Sequence, residues 1–171
     1  VDHVAAIGFT SGSTGHPCEH RKHWSGFAAC SARNASAIGA ALAAQGLHGQ
    51  PAIVATVPPQ HMYGMELTVL LPLMADFAVH AGRPLLPADI AQALSEVPAP
   101  RVLVSTPVHL RALLAADHDL PPLGLVVCAT APLDAALAIE VERRFGAPLL
   151  EMFGSTETCV IAQRRTAIDE A

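Results

Sequence analysis

Short apolar runs recur along this chain, and the stretches between them carry apolar residues at helical spacing. Val4 to Phe9, Pro51 to Val57, Val102 to Thr106, Leu123 to Ala129 and Leu149 to Phe153 are too short for ordinary helices and read as strands. Ser25 to Leu47, Met65 to Phe77, Pro87 to Val97, Pro107 to Ala116 and Asp134 to Phe145 read as helices. Pro107 suits a first helical turn, Asp134 an N-cap and Gly146 a stop. Ala78 to Ala81 and Val160 to Arg164 are shorter strand candidates. Strands that alternate with helices predict an α/β fold, with a largely parallel sheet covered by helices on both faces. Such strands are buried on both sides, and the composition supplies them: of 171 residues, 51% are hydrophobic and 15% charged.

That balance excludes a disordered chain. A net charge of −5 argues against a general nucleic-acid binder. The longest apolar stretch, Leu67 to Ala75, is interrupted by Pro72 and followed by Asp76, so no bilayer span is expected. Cys18, Cys30, Cys128 and Cys159 form no Cys-x-x-Cys pair, which disfavours a disulfide framework or a structural zinc site. Reduced thiols in the cytoplasm fit them better. His3, His48, His80, His109 and His118 are scattered, with nothing to join them in a metal site. The chain opens on Val-Asp-His without a methionine or a signal peptide, and is expected to be an excised segment.

Ligands in parallel sheets sit at the C-terminal ends of the strands, so the loops after Phe9, Val57, Ala129 and Met152 should face one crevice. The first of these is Thr10-Ser11-Gly12-Ser13-Thr14-Gly15, which has little side-chain bulk, several hydroxyls and backbone N–H groups suited to phosphate. His16, His20, Arg21, Lys22 and His23 follow it. The same composition also serves plain connecting loops. No Gly-Lys-Ser/Thr closes the stretch, so an ordinary P-loop NTPase is disfavoured.

Thr10 to Pro17 resembles the phosphate loop of the adenylate-forming superfamily, which includes acyl-CoA synthetases, aryl-CoA ligases and peptide-synthetase adenylation domains. Phe153-Gly-Ser-Thr-Glu157 resembles that family's aromatic-Gly-x-Thr-Glu motif. Pro59 to Gly64 resembles its substrate-pocket loop, and Ala131-Pro132-Leu133 its adenine loop. The resemblance implies ATP-dependent activation of a carboxylic acid as an acyl-adenylate, with release of pyrophosphate. The acyl group then passes to the thiol of CoA or of a phosphopantetheine carrier, so an acyl carrier protein is a possible partner.

The same resemblance assigns roles. Thr10, Ser11, Gly12, Ser13, Thr14 and Gly15 would wrap the ATP phosphates, Thr156 would contact the α-phosphate, and Glu157 would hold Mg²⁺. Phe153, with Gly154 and Ser155 beside it, would lie against the adenine, and Thr130, Ala131 and Pro132 would wall it. His61, Met62, Tyr63 and Gly64 would line the acyl pocket or thiol tunnel. Without the resemblance, Thr156-Glu157 reads as a turn or helix cap, and His61 as a surface histidine. Met65, Leu67, Leu70 and Met74 read as core.

The family loop commonly runs Pro-Lys-Gly, whereas this chain has Pro17-Cys18-Glu19. Lys22, or Arg21, is expected to supply the missing cation. Pro17 to Trp24 resembles a branch that loads aryl acids in aryl-polyene and xanthomonadin-type pigment clusters. The chain is expected to be a partial AMP-binding domain over residues 1–171, lacking the family's N-terminal part and its C-terminal lid with the catalytic lysine. By itself it is expected not to turn over. The competing reading is a non-catalytic nucleotide-binding or interaction domain that keeps the fold.

Overall fold

The computed structural model describes residues 2–10, 18–116 and 118–169. Six strands form the main sheet, in the order β4 (Ala78–Val79), β3 (Ala52–Ala55), β5 (Arg101–Ser105), β6 (Leu125–Cys128), β7 (Leu149–Ser155) and β8 (Cys159–Arg164). All neighbours are parallel except β7 and β8, which pair antiparallel across a short turn at residues 156–158. The largely parallel sheet expected from the alternation is therefore present.

Alternate side chains of the central strands enter two separate cores, as the two-residue period of a strand requires. Val54, Leu103, Val126 and Cys128 pack with α4 (Pro87–Glu96), α5 (Pro107–Ala116) and α6 (Ala135–Phe145). Ile53, Ala55, Val102, Val104, Leu125 and Val127 point the other way, towards Ile38 and Leu42 of α1 (Trp24–Ala43) and towards Leu67 and Leu71. Helices thus cover both faces. The side chain of Asp134 accepts from the N–H groups of Ala136 and Leu137 at the start of α6, and Gly146 ends that helix.

Leu67 and Leu71 lie in a continuous helical stretch of three parts. These are α2 (Met62–Met65), a five-residue π-helical segment (Glu66–Leu70) and α3 (Leu71–Met74). Leu67 and Leu70 are buried and Met65 and Met74 partly so, which places all four in the core as expected. Tyr63 is buried too, and its hydroxyl donates to the carbonyls of Val127 (3.1 Å) and Ser105 (3.3 Å). The ring is therefore a strut between the helix and the sheet.

The first apolar run does not join this sheet. β1 (Val4–Thr10) pairs antiparallel with β2 (Cys18–His23) in a separate two-stranded hairpin. The connection between them is shorter than a parallel crossover needs, so an antiparallel return is the geometry left. β2 is the segment with Arg21, Lys22 and flanking histidines that reads, as sequence, only as a charged continuation of the loop. Ala5 and Ala6 of the hairpin pack on a small third core of Phe27, Cys30, Met62, Leu70 and Cys159. Among the described residues no helix is long and apolar enough to cross a membrane.

A Cβ placed on Gly64 would collide with the carbonyl of Pro58, so α2 can lie this close to the preceding loop only with glycine there. Gly64→Ala is expected to destabilise the protein by about 1–3 kcal/mol through overpacking. A lower urea midpoint with an unchanged m-value would report it, and an unchanged midpoint would remove the close-approach argument.

Candidate active site

A cleft of about 380 Å³ opens over the C-terminal ends of β6 and β7. Its walls come from three of the four loops singled out above: His61, Met62 and Tyr63; Thr130, Ala131 and Pro132; and Phe153, Gly154, Ser155 and Thr156. Its size lies within the range of small-molecule sites. Gly64 is buried against Pro58 rather than lining the cleft. Of the expected phosphate loop, Ser11, Gly12, Ser13, Thr14 and Gly15 lie outside the described residues.

The walls are held by identifiable interactions. Thr130 adopts the left-handed conformation (φ 81°), uncommon for a residue with a Cβ. The next turn is tied down by Glu151 of β7, whose Oε1 accepts from the N–H of Leu133 at 3.1 Å. Its Oε2 accepts from Arg164 Nε at 2.8 Å and Thr166 Oγ1 at 2.6 Å. Burial alone would raise the Glu151 carboxyl, but the hydrogen bonds from Thr166, Arg164 and Leu133 outweigh it and hold the group below its ordinary value. Phe153 lies near the end of β7 and is 66% exposed.

Thr156 and Glu157 occupy the turn between β7 and β8. Lys22 crosses from the hairpin to reach it: its Nζ donates to the Glu157 carbonyl at 2.6 Å, and the side chain is buried. His20 stands between Thr10 and Glu157, with Nε2 at 3.2 Å from Thr10 Oγ1 and 3.5 Å from Glu157 Oε1. Gly8 on the same hairpin approaches so closely that an added Cβ would lie 2.8 Å from the Thr156 methyl. The end of the phosphate-loop strand and the Thr-Glu turn are thus adjacent. The Ser155 hydroxyl, the local backbone, His20 and Lys22 all favour the ionised form of Glu157, and its carboxyl lies below the ordinary value. An exposed, ionised carboxylate is a suitable oxygen ligand for Mg²⁺, and the donor set fits that ion.

Arg21, the other expected cation, instead pairs with Glu19 through Nε to Oε1 at 2.9 Å, on the surface. Glu19 therefore carries its own counter-charge. Two groups have no signal in the sequence, Glu151 behind the 130–133 loop and Glu66, a buried carboxylate lining the cleft, while His20 reads there only as one member of the basic run after the loop. Only pairing across the sheet and the hairpin brings them in.

The fold and the cleft define an α/β ligand-binding domain whose site lies at the C-terminal edge of a parallel sheet. The chain belongs to the AMP-binding enzyme family, whose model matches residues 1–171. It is similar to a 4-coumarate–CoA ligase of Halorhodospira halophila, 32% identical over 167 residues that cover 95% of this chain and 38% of the relative. A 4-coumarate–CoA ligase of Rhodobacter capsulatus is 34% identical over 165 residues, covering 94% of this chain and 39% of the relative. The chain therefore spans well under half the length of these curated relatives. Among solved structures, O-succinylbenzoate coenzyme A synthetase (MenE) of Bacillus subtilis, in complex with ATP and magnesium, shares the fold. It has a TM-score of 0.79 at 20% identity, over 97% of this chain and 33% of that one.

The Glu151 clamp gives a pH-dependent expectation. A carboxyl depressed in the folded state contributes stability that is present above the unfolded value, about 4.3 for Glu, and lost as pH falls through the folded value. Glu151→Gln is expected to cost about 1–3 kcal/mol at neutral pH. The gap to the parent should narrow below about pH 4. Denaturant titrations across pH measure this, and a gap that widens in acid would refute the clamp.

Proposed function

We propose that the protein containing this chain activates a carboxylic acid with ATP and passes the acyl group to a thiol. In the first step a carboxylate oxygen attacks the α-phosphorus of ATP. The bond to the β-phosphate oxygen breaks and pyrophosphate leaves with its electron pair, so that an acyl-adenylate remains. In the second step a thiol sulfur attacks the acyl carbon and AMP departs. The thiol belongs to CoA or to a phosphopantetheine carrier, and the acid is an aryl or fatty acid.

The observation that carries this reading is the meeting of the hairpin with the Thr156–Glu157 turn at the mouth of one cleft. Lys22 and His20 contact Glu157 of the turn, and Thr156 of the same turn lines the cleft with Phe153 and Thr130 to Pro132. Phe153 would stack on the adenine, with Thr130, Ala131 and Pro132 as its other wall. Thr156 would meet the α-phosphate, and Thr10 with Ser11 to Gly15 would hold the distal phosphates. Lys22 would fix the turn through the Glu157 carbonyl and add positive charge beside the phosphates. Mg²⁺, held by Glu157, would neutralise phosphate charge. His61 and Met62 would face the acyl group. The work asked of the protein is positioning and charge neutralisation. Further support comes from the names of the relatives, which are CoA ligases, and from a structural neighbour that holds ATP and magnesium.

The decisive assay is carboxylate-dependent exchange of pyrophosphate into ATP by the full-length protein, over a panel of aryl and fatty acids. Exchange with at least one acid is expected. No exchange with any acid, beside measurable ATP binding, would favour a nucleotide-binding domain without chemistry. Glu157→Gln and Lys22→Ala are each expected to depress exchange by about 10²-fold. A silent Lys22→Ala would remove the lysine from the site.

A further inference from the structure

The buried face of α1 is apolar at both ends but polar in its middle, where it carries Cys30, Ser31 and Asn34. Opposite stand Glu66 in the π-helical segment and Cys159 at the start of β8. The two sulfurs and a carboxylate oxygen all lie within 4.8 Å of one another, and all three residues are buried. Two of the three, Cys159 and Glu66, are held at a cost. Cys159 adopts a left-handed backbone (φ 61°), which disfavours a residue with a Cβ. Burial pushes its thiol up to about 11 and raises the Glu66 carboxyl as well. π-Helical insertions of the kind that carries Glu66 frequently mark functional sites.

Hydrogen-bond donors and cationic side chains surround the three groups. Both hydrogen bonds to Glu66, from Asn34 Nδ2 (3.4 Å) and the Val160 N–H (3.2 Å), go to Oε2. Oε1 accepts none among the described residues. Arg33 Nη2 donates to Cys30 Sγ at 3.2 Å. Lys22 interacts electrostatically with both Glu66 and Cys159. Two thiolates and a carboxylate around a divalent cation leave one net negative charge, which Lys22 and Arg33 flank. Asn34 and Val160 supply the outer hydrogen bonds that orient a metal-binding carboxylate. Glu66 and Cys159 also line the cleft, which gives an entry path.

We propose that Cys30, Glu66 and Cys159 form a binding site for one thiophilic divalent cation of the zinc and cadmium class, with its fourth position open to the cleft. Tetrahedral coordination with metal–sulfur bonds of about 2.3 Å places ligand atoms roughly 3.6–3.8 Å apart. The triangle therefore needs a contraction of about an ångström at most. On binding, two S–H bonds break and two sulfur–metal bonds form. The protons leave to solvent and no electrons are transferred. The ion would tie α1, the π-helical segment and β8 together beneath the Thr156–Glu157 turn. This proposal is independent of the adenylation reading, because it requires neither nucleotide nor acid.

The test uses the full-length protein, reduced and with Cys18→Ser to remove an exposed thiol, titrated with Co²⁺ and Cd²⁺. A thiolate-to-metal charge-transfer band that saturates at one equivalent is expected, with proton release recorded at constant pH. The band should be lost in Cys30→Ser and in Cys159→Gly, and Glu66→Gln should weaken binding by at least about tenfold. Cys159→Gly relieves the left-handed backbone, which offsets the packing lost from the third core, and circular dichroism and the melting temperature without metal report whether the variant is folded. The proposal is overturned if no band forms, or if the band survives Cys159→Gly in a folded protein. Neither result depends on whether the protein exchanges pyrophosphate.

Discussion

Lys22 reaches out of the β1–β2 hairpin to donate to the carbonyl of Glu157, 135 positions away in sequence, and the place of the Thr156–Glu157 turn depends on that link. A buried ammonium is costly unless polar and anionic groups surround it. Here the carbonyl meets it directly, and the carboxylates of Glu157 and Glu66 lie near enough to be felt. Hairpin and sheet otherwise touch mainly through the small core around Phe27 and Met62. β1 and β2 and the turn that carries Thr156 are therefore held together by Lys22, by the His20–Glu157 contact and by the close approach of Gly8 to Thr156.

The remaining wall is fixed differently. β6 is buried along its whole length, with side chains alternating between two cores, so Thr130 leaves from a point that cannot shift. Glu151 then holds the Leu133 N–H from the neighbouring strand, which sets the direction of the loop rather than its origin. This division is the usual logic of a site built from loops on a rigid sheet. It also explains why an exposed phenyl ring at Phe153 is tolerable, since the cores that stabilise the fold lie behind it.

The elements of the main sheet were legible because their signals are local. Apolar runs such as Val102 to Thr106 and the Asp134 cap need no knowledge of partners. The hairpin was not legible, because Cys-Glu-His-Arg-Lys-His has no strand-like alternation of apolar residues; pairing with β1 and burial of Lys22 make it a strand. Three of the segments singled out in the sequence line one cleft, but the residues that support them had no sequence signal. Glu151 and Glu66 are ordinary acidic residues in the sequence, and only cross-strand neighbours give them work. Gly64, expected in the pocket by its place in a motif, acts instead as packing against Pro58.

Cysteine spacing does not reveal the Cys30–Glu66–Cys159 cluster for the same reason. Rules based on nearby pairs detect ligands supplied by one or two local segments, whereas Cys30, Glu66 and Cys159 come from a helix, a π-helical insertion and an edge strand. Glu66 stands where this cluster and the Lys22 link meet: it attracts the ammonium and, through Oε2, accepts the N–H of Val160 next to Cys159. That carboxylate therefore interacts with a residue on each side of the turn, Lys22 and Val160. The ordinary surface appearance of that turn in sequence therefore conceals its dependence on a buried acid 91 positions before Glu157.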